Sequence, residues 1–260
     1  GGDLVAGLKV HIGFKAIGED GKGAHIKARV VNETGKQVAV FSSGYKGSGS
    51  FDFVPDDHTT YSAKVELADG LIKDYPLPAV KKSGTVLQVK NSFKSDSVEV
   101  NISATSDVIE LHKNYFLIGK ARGVICYAAT MTFSKNAIHR LISKSLFPSD
   151  ETHFILSSTD GTPLNERLVF INRNDDLNIK IEPDESAYAI RDSIALHFNV
   201  TKQNGDPVEG SFSIAVTDDQ QIKPDSTNAA NILTRMLLTS DLKGYIEHPG
   251  YYFQDNAASS

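Results

Sequence analysis

The chain has no tryptophan, one cysteine and two methionines among 260 residues. A lone thiol, Cys126, excludes an intrachain disulfide and any paired-cysteine metal site, and its place in the apolar run "VICYAA" makes it a buried strand residue. Concentrated positive charge is also missing. The formal net charge is −5, and the longest basic stretch is Lys81-Lys82, which excludes general recognition of a phosphate backbone and with it a nucleic-acid partner. No apolar run approaches the roughly 18 residues that cross a bilayer as a helix, so this stretch of chain is not expected to insert directly into a membrane.

Motifs that carry chemistry are missing too. There is no H-E-x-x-H and no EF-hand spacing, so no metal is assigned and no cofactor is implied. Ser48 and Ser50 lack the glycine spacing of a nucleophile elbow. The loop "GYKGSGSF", Gly44 to Phe51, has its lysine before the glycines and "FDF" after them, whereas a phosphate-binding loop needs Lys and Ser or Thr directly after the last glycine; a hairpin or bulge is expected. The adjacent carboxylates Asp56-Asp57, Asp175-Asp176 and Asp218-Asp219 fall in turns or strand ends, where neighbours point to opposite faces, which suits solvated charges better than an acid/base pair. His11 and His25 are the one pair considered for a shared ion, across two early strands, and surface histidines are the simpler reading. No catalytic residue is assigned, and an enzyme is not expected.

What is present is alternation. With 40% hydrophobic and 23% charged residues, the composition is that of a soluble globular protein long enough for two or three domains. Leu8, Val10, Ile12, Phe14 and Ala16 alternate with other residues, as do Tyr61/Ala63/Val65/Leu67, Val98/Val100/Ile102/Ala104, Leu177/Ile179/Ile181 and Ile194/Leu196/Phe198/Val200. A period of two places each set on one face of a pleated strand. Between the runs stand "EDGKG", "NETGK", "ADG", "TDGTP" and "QNGDP", the residues that tight turns demand. Short strands punctuated in this way predict antiparallel β-sandwiches rather than βαβ units.

Three of the turns align without gaps: "DGKGAHIKARV" from Asp20, "DGTPLNERLVF" from Asp160 and "NGDPVEGSFSI" from Asn204. Each has Asp or Asn, then Gly, a spacer, and Gly or Pro. Apolar residues follow at matching places, Ala24/Leu164/Val208, Ala28/Leu168/Phe212 and Val30/Phe170/Ile214, and suggest one sandwich unit used three times. The prolines of "DYPLPAVKKSG" and the polar "INRNDDLN" mark boundaries, giving expected domains at 1–80, 81–174 and 175–260. One amphipathic helix is expected in "NAANILTRMLLTSDLKG", with Ile232, Leu233, Met236 and Leu237 on one face and Gly244 ending it. "KNAIHRLISKS", from Lys135, has Ile138, Leu141 and Ile142 at helical spacing, though a strand stays open.

The runs "GGDLVAGLKVHIGFKAIGEDGKG", "GYKGSGSFDFVPDDHTTYSAKV", "PLNERLVF" and "LLTSDLKGYIEHPGYYF" resemble macroglobulin-like domains, in particular those of large Gram-negative envelope proteins in which such domains precede a plug domain like that of TonB-dependent receptors. The resemblance is weakest from Ser83 to Ser134. It implies tandem immunoglobulin-like sandwiches in the bacterial cell envelope, periplasmic or at the outer membrane, serving as a non-catalytic spacer or interaction arm. The partners it implies are the neighbouring domains of a longer chain and other envelope proteins. The start at Gly-Gly-Asp, without an initiator Met or leader, is expected of a processed chain or a fragment. The thioester trap of some macroglobulins needs Cys-Gly-Glu-Gln, and here Tyr127 and Ala128 follow Cys126. Alternative roles are the soluble ligand-capturing part of a TonB-linked uptake receptor, and a carbohydrate- or peptide-binding module. The sequons at Asn32, Asn101 and Asn199 are read as chance.

The candidate interaction patch is the cluster Tyr245, Tyr251, Tyr252 and Phe253 in "SDLKGYIEHPGYYF". It is expected to strap the third sandwich or to meet the next domain, with Lys243 and Glu247 paired beside it.

Overall fold

The computed structural model describes residues 2–67, 70–173, 175–218, 220–221, 231–240 and 242–253. Parts of "ADG", "INRNDDLN" and the expected helix, Asp219, and the tail from Gln254 lie outside the described residues. The chain is mainly β, and its sheets are antiparallel apart from one short parallel pair. Its contacts group Gly1–Ile171 with Asp225–Ser260 and leave Asn172–Pro224 as a second unit.

In the first unit the chain lays down β1 (Leu4–Val5), β2 (Val10–Lys15), β3 (Lys27–Asn32), β4 (Gln37–Ser42), β5 (Ser48–Phe53), β6 (Tyr61–Glu66), β7 (Ile72–Pro76) and β8 (Val80–Lys81). They form a sheet in the order β4-β3-β6-β7, the pair β2-β5 and the parallel pair β1-β8. Tyr61, Ala63 and Val65 of β6 and Ala28 and Val30 of β3 turn inward, meeting Val10 of β2 and Phe51 and Phe53 of β5 in a common core. The proline-bearing stretch 74–84 carries the end of β7 and all of β8, and Pro76 stands on an edge strand, where its missing N–H costs no ladder bond.

The second group follows: β9 (Thr85–Asn91), β10 (Ser97–Ala104), the short helix α1 (Ser106–Glu110), β11 (Asn114–Ala121), β12 (Val124–Thr132), β13 (Ala137–Ser143), β14 (Asp150–Ser158) and β15 (Pro163–Ile171). A sheet β13-β10-β9 faces a sheet β12-β11-β14-β15. Between them lie Val98, Val100 and Ile102, Leu117, Phe133, Phe147, Phe154, Leu156 and Ile171. All of β10 alternates buried and half-buried, as its period of two requires.

The two cores meet at β9. Its neighbouring residues Val86 and Leu87 are 4% and 1% exposed and belong to different cores, the first and the second respectively. Because successive side chains of a strand point to opposite faces, one strand closes two interiors. Thr85 Oγ1 donates to Asn165 Oδ1 (2.5 Å), Asn165 Nδ2 donates back to the Thr85 carbonyl (3.0 Å), and Gln88 Nε2 donates to the Lys9 carbonyl (3.0 Å).

Taken alone, the unit Asn172–Pro224 contains β16 (Asn178–Pro183) and β17 (Leu196–Thr201), an antiparallel pair. Ile179 faces Val200 and Ile181 faces Phe198 across it, as the alternation predicts. Ile179, Ile181, Leu196 and Phe198 are all exposed.

The three aligned turns share one hydrogen-bond pattern. Gly18, Ser158 and Lys202 each donate their N–H to the carbonyl four residues on, and Gly21, Gly161 and Gly205 donate back to them. Asp20, Asp160 and Asn204 accept from the N–H of Lys22, Thr162 and Asp206. The three glycines have φ of 76°, 88° and 88°, the left-handed residue of a three-residue hairpin loop. The flanking register also repeats, with Ile17 opposite Gly23, Ser157 opposite Pro163 and Thr201 opposite Pro207.

Beyond the turn the likeness stops. Ala28 and Val30 are buried, whereas the matched Leu168, Phe212 and Ile214 are 40%, 55% and 62% exposed. After its turn the first chain segment crosses to another sheet, while β15 stays beside β14.

The open segment resolves as a strand, and the expected helix is brief. Lys135 onward forms β13, whose Ile138, Arg140 and Ile142 stand opposite Ile102, Val100 and Val98 of β10; this ladder outweighs the helical spacing and sends Leu141 to solvent, 67% exposed. The C-terminal helix is shorter than expected: α2 (Ile232–Thr234), capped reciprocally by Asn231 and Thr234, widens into a π-type turn over Arg235–Thr239 and ends before Gly244. Ile232, Leu233 and Met236 are exposed, so their shared face is not a core face. Among the described residues no helix is long and apolar enough to cross a membrane.

Candidate functional site

The aromatic strap does not pack on a third sandwich. It docks on the glycine-rich loop of the first, and the construction begins with two glycines. A β-carbon on Gly23 would lie 1.9 Å from the Lys46 carbonyl oxygen, and one on Gly47 would lie 2.2 Å from that of Ala16. Only residues without side chains let the loop lie so close to the hairpin at Ile17–Gly23. Ala16 N–H donates to Gly47 O (2.8 Å) and fixes it there. Lys46 is held at φ 50°, an uncommon conformation for a residue with a β-carbon.

This loop, a tight turn over Tyr45–Gly47 leading into β5, presents the Tyr45 ring and the Lys46 ammonium, and the hairpin beside it presents the Gly23 N–H. Glu247 takes both donors: Lys46 Nζ lies 2.9 Å from its Oε1, and Gly23 N–H donates to its Oε2 at 3.1 Å. The Glu247 side chain is 10% exposed. These two hydrogen bonds hold its carboxyl below the usual glutamate range, and the bond to Glu247 raises the Lys46 ammonium. Lys46, not Lys243, is therefore the partner that Glu247 has. Tyr251 lies over Tyr45 with centroids 3.5 Å apart and planes 11° from parallel. His248 at φ 52°, followed by Pro249 and Gly250, turns the chain between the two contacts, and Tyr251 N–H closes the turn on His248 O (3.0 Å).

The other predicted patch residues separate. Tyr252 stands edge-on to Tyr45 and Tyr251, its ring 45% exposed, and partial burial raises its phenol. Phe253 meets Phe170 of β15 edge-on at 5.8 Å, so the strap touches the second sandwich as well as the first. Tyr245 is 85% exposed. The sequence signalled the aromatic cluster but not its receptor, since Gly23 and Lys46 lie more than two hundred positions away.

A groove of about 730 Å³ is lined by Lys120, Arg122, Asp150, His153, Glu166 and Met236, among others. Arg122 Nε meets buried Asp150 at 2.5 Å, and its Nη2 donates to the Ser149 carbonyl (3.0 Å). His153 Nδ1 meets Glu166 at 2.5 Å. These two pairs match charge with charge, which suits a polar sheet surface. Apart from Met236, none of these residues stood out in the sequence: Arg122 and Asp150 come from different elements, and His153 meets Glu166 only in the register that the Ser158–Thr162 turn sets between β14 and β15.

The remaining candidates are placed simply. His11 pairs with Asp52 across β2-β5 (2.6 Å), not with His25, which precedes a strand of a different sheet. Cys126 is half-buried on β12 rather than fully buried. Asp57 Oδ1 accepts from His58 N–H (3.0 Å) in a turn. Among the described residues no three His, Cys, Asp or Glu side chains are placed to share a metal ion.

No family model matches the chain, and no curated protein matches it. Among solved structures it is similar to Salmonella alpha-2-macroglobulin reacted with methylamine, at 13% identity and a TM-score of 0.26 over 81% of this chain and 17% of that one. The native conformation of Escherichia coli alpha-2-macroglobulin gives 14% and 0.25 over 76% of this chain and 16% of that one. BcpA*(D312A), the major pilin subunit of Bacillus cereus, gives 8% and 0.22 over 82% of this chain and 97% of that one. The chain spans about a sixth of either macroglobulin. Superpositions at these scores carry no argument, and the fold class rests on the strands themselves.

Proposed function

We propose that this chain is a non-catalytic β-sandwich module, a rigid spacer and interaction arm within a larger bacterial cell-envelope protein, periplasmic or at the outer membrane. The observation that carries the reading is β9, whose adjacent Val86 and Leu87 sit in two different cores. A strand shared in this way cannot hinge without opening an interior, and apolar burial of about 25 cal/mol per Å² resists that. The strap adds contacts to both sandwiches. The sequence resemblance to macroglobulin-like envelope domains supports the compartment and the context ahead of a TonB-linked plug domain.

The exposed rings of Tyr245 and Tyr252 are the surface this arm offers to a neighbouring domain. A photo-crosslinking residue at Tyr245 in the whole protein is expected to trap a neighbouring domain of the same chain or another envelope protein. An absence of crosslinks, together with a turnover abolished by one polar substitution in the Lys120–Glu166 groove, would replace this reading with an enzymatic one.

A further inference from the structure

We propose that Gly23, Tyr45 and Lys46 form a peptide-recognition cradle for a turn carrying Glu and Tyr four residues apart, and that the same segment from a second copy of this chain can fill it. The chain's own Glu247–Tyr251 occupies the cradle in cis.

Three observations carry this. First, the contacts are those of recognition rather than of a continuous core. A carboxylate takes one backbone N–H and one ammonium, a charge-assisted arrangement that neutral partners cannot reproduce, and a ring lies flat on a ring. Second, the backbone of the cradle is braced by bonds that do not involve the strap. Gly23 and Gly47 permit the close backbone approach, Ala16 N–H and Gly44 N–H brace the loop through Gly47 O and Ser48 O, and Lys46 keeps a left-handed backbone that brings a cation beside the Gly23 N–H. Strain of that kind at a loop tip is characteristic of ligand clamps. Third, the strap is a ligand by its own structure. Its Pro249–Phe253 coil is a single tight turn, and it reaches the cradle only after the chain has built the unit Asn172–Pro224.

A short segment held by a few side-chain contacts binds its own chain through high local concentration, and the identical segment of a second molecule meets the identical site. Exchange of such an element between protomers needs no new surface.

The first test uses the full chain with Glu247→Gln and Tyr251→Ala, which empties the cradle and leaves both sandwich cores untouched. A fluorescent peptide of residues 244–253 is expected to bind this variant saturably and at least about tenfold more tightly than it binds the wild-type chain, whose own strap competes. Adding Lys46→Met, or carrying the Glu→Gln change in the peptide, is expected to remove that binding. Equal binding to wild type and variant, or binding indifferent to Lys46→Met, overturns the proposal. Amide exchange at Val30 and Val65 of the first core and at Leu117 of the second confirms that each variant is folded, and Lys46→Ala replaces Lys46→Met if that chain is not.

The second test mixes the strap-defective chain with one carrying Tyr45→Ala and Lys46→Met, in which the cradle is lost and the strap is intact. Sedimentation is expected to show a complex of the two in the mixture and monomers of each alone. Peptide binding without this complementation overturns the second-copy source and leaves the cradle standing.

Discussion

Two hairpins built on the same turn differ in what lies over them. Phe154 and Phe198 each stand four residues before the first residue of that turn, Ser158 in one case and Lys202 in the other. Phe154 is fully buried, while Phe198 is 44% exposed. Both strands alternate and both are registered as the turn dictates, yet β14 is covered by the sheet β13-β10-β9, whereas among the described residues the only strand paired with β17 is β16. Turn chemistry and alternation are local properties. Burial belongs to the partner sheet, and a two-stranded ribbon is marginal without one.

The largest expected contrast is between alanine substitutions at these phenylalanines. Phe154→Ala leaves a cavity beside Phe147 and Leu156 and is expected to cost about 3–5 kcal/mol, while Phe198→Ala is expected to cost under about 1 kcal/mol. Denaturant midpoints of the full chain measure both, and equal losses would mean that β17 is covered in solution.

Smaller effects sharpen the comparison at the turn. Gly161 and Gly205 share φ 88° with open space around them, so alanine at either should cost about 1–2 kcal/mol from backbone strain alone. Gly161→Ala is expected to lower the midpoint of the unit Gly1–Ile171, and Gly205→Ala to accelerate amide exchange in β16 and β17 alone. A common shift in both readouts would join the two units into one cooperative body.

The subtlest contrast is in acid. The Ser158 hydroxyl and the Thr162 N–H lower the Asp160 carboxyl to about 2. A depressed carboxyl contributes stability that is complete above its unfolded value of about 3.9 and is lost as pH falls through the folded one. The Thr162 amide resonance should therefore shift with a midpoint near 2, whereas the Asp206 amide, bonded to the uncharged Asn204, should keep its acceptor. Asn204→Asp is expected to install the acid response there. A midpoint at the ordinary aspartate value for Thr162 would remove Asp160 from the turn's hydrogen bonding.

These contrasts mark how far the sequence could be read. The strands around Tyr61, Val98 and Ile179 follow from alternation, and the shared turns follow from Asp or Asn and Gly at fixed offsets, because both are set within a few residues. The spacing of Ile138, Leu141 and Ile142 left helix and strand both open, because the pairing with β10 that decides between them is a long-range bond. The strap's rings were legible as a cluster, but the partners of Glu247 depend on a close approach that Gly23 and Gly47 allow, and a glycine in sequence does not announce what comes near it. The exposure of Ile179 and Phe198 was hidden for the same reason, since their alternation is that of a covered strand.

The central claim is that the two sandwiches of the first unit move as one body about β9. Spin labels at Val40→Cys and Leu141→Cys, both 67% exposed, with Cys126→Ser to remove the native thiol, report the distance between them by pulsed electron resonance. A single narrow distance distribution is predicted. A broad or multi-peaked distribution in the folded chain would contradict it.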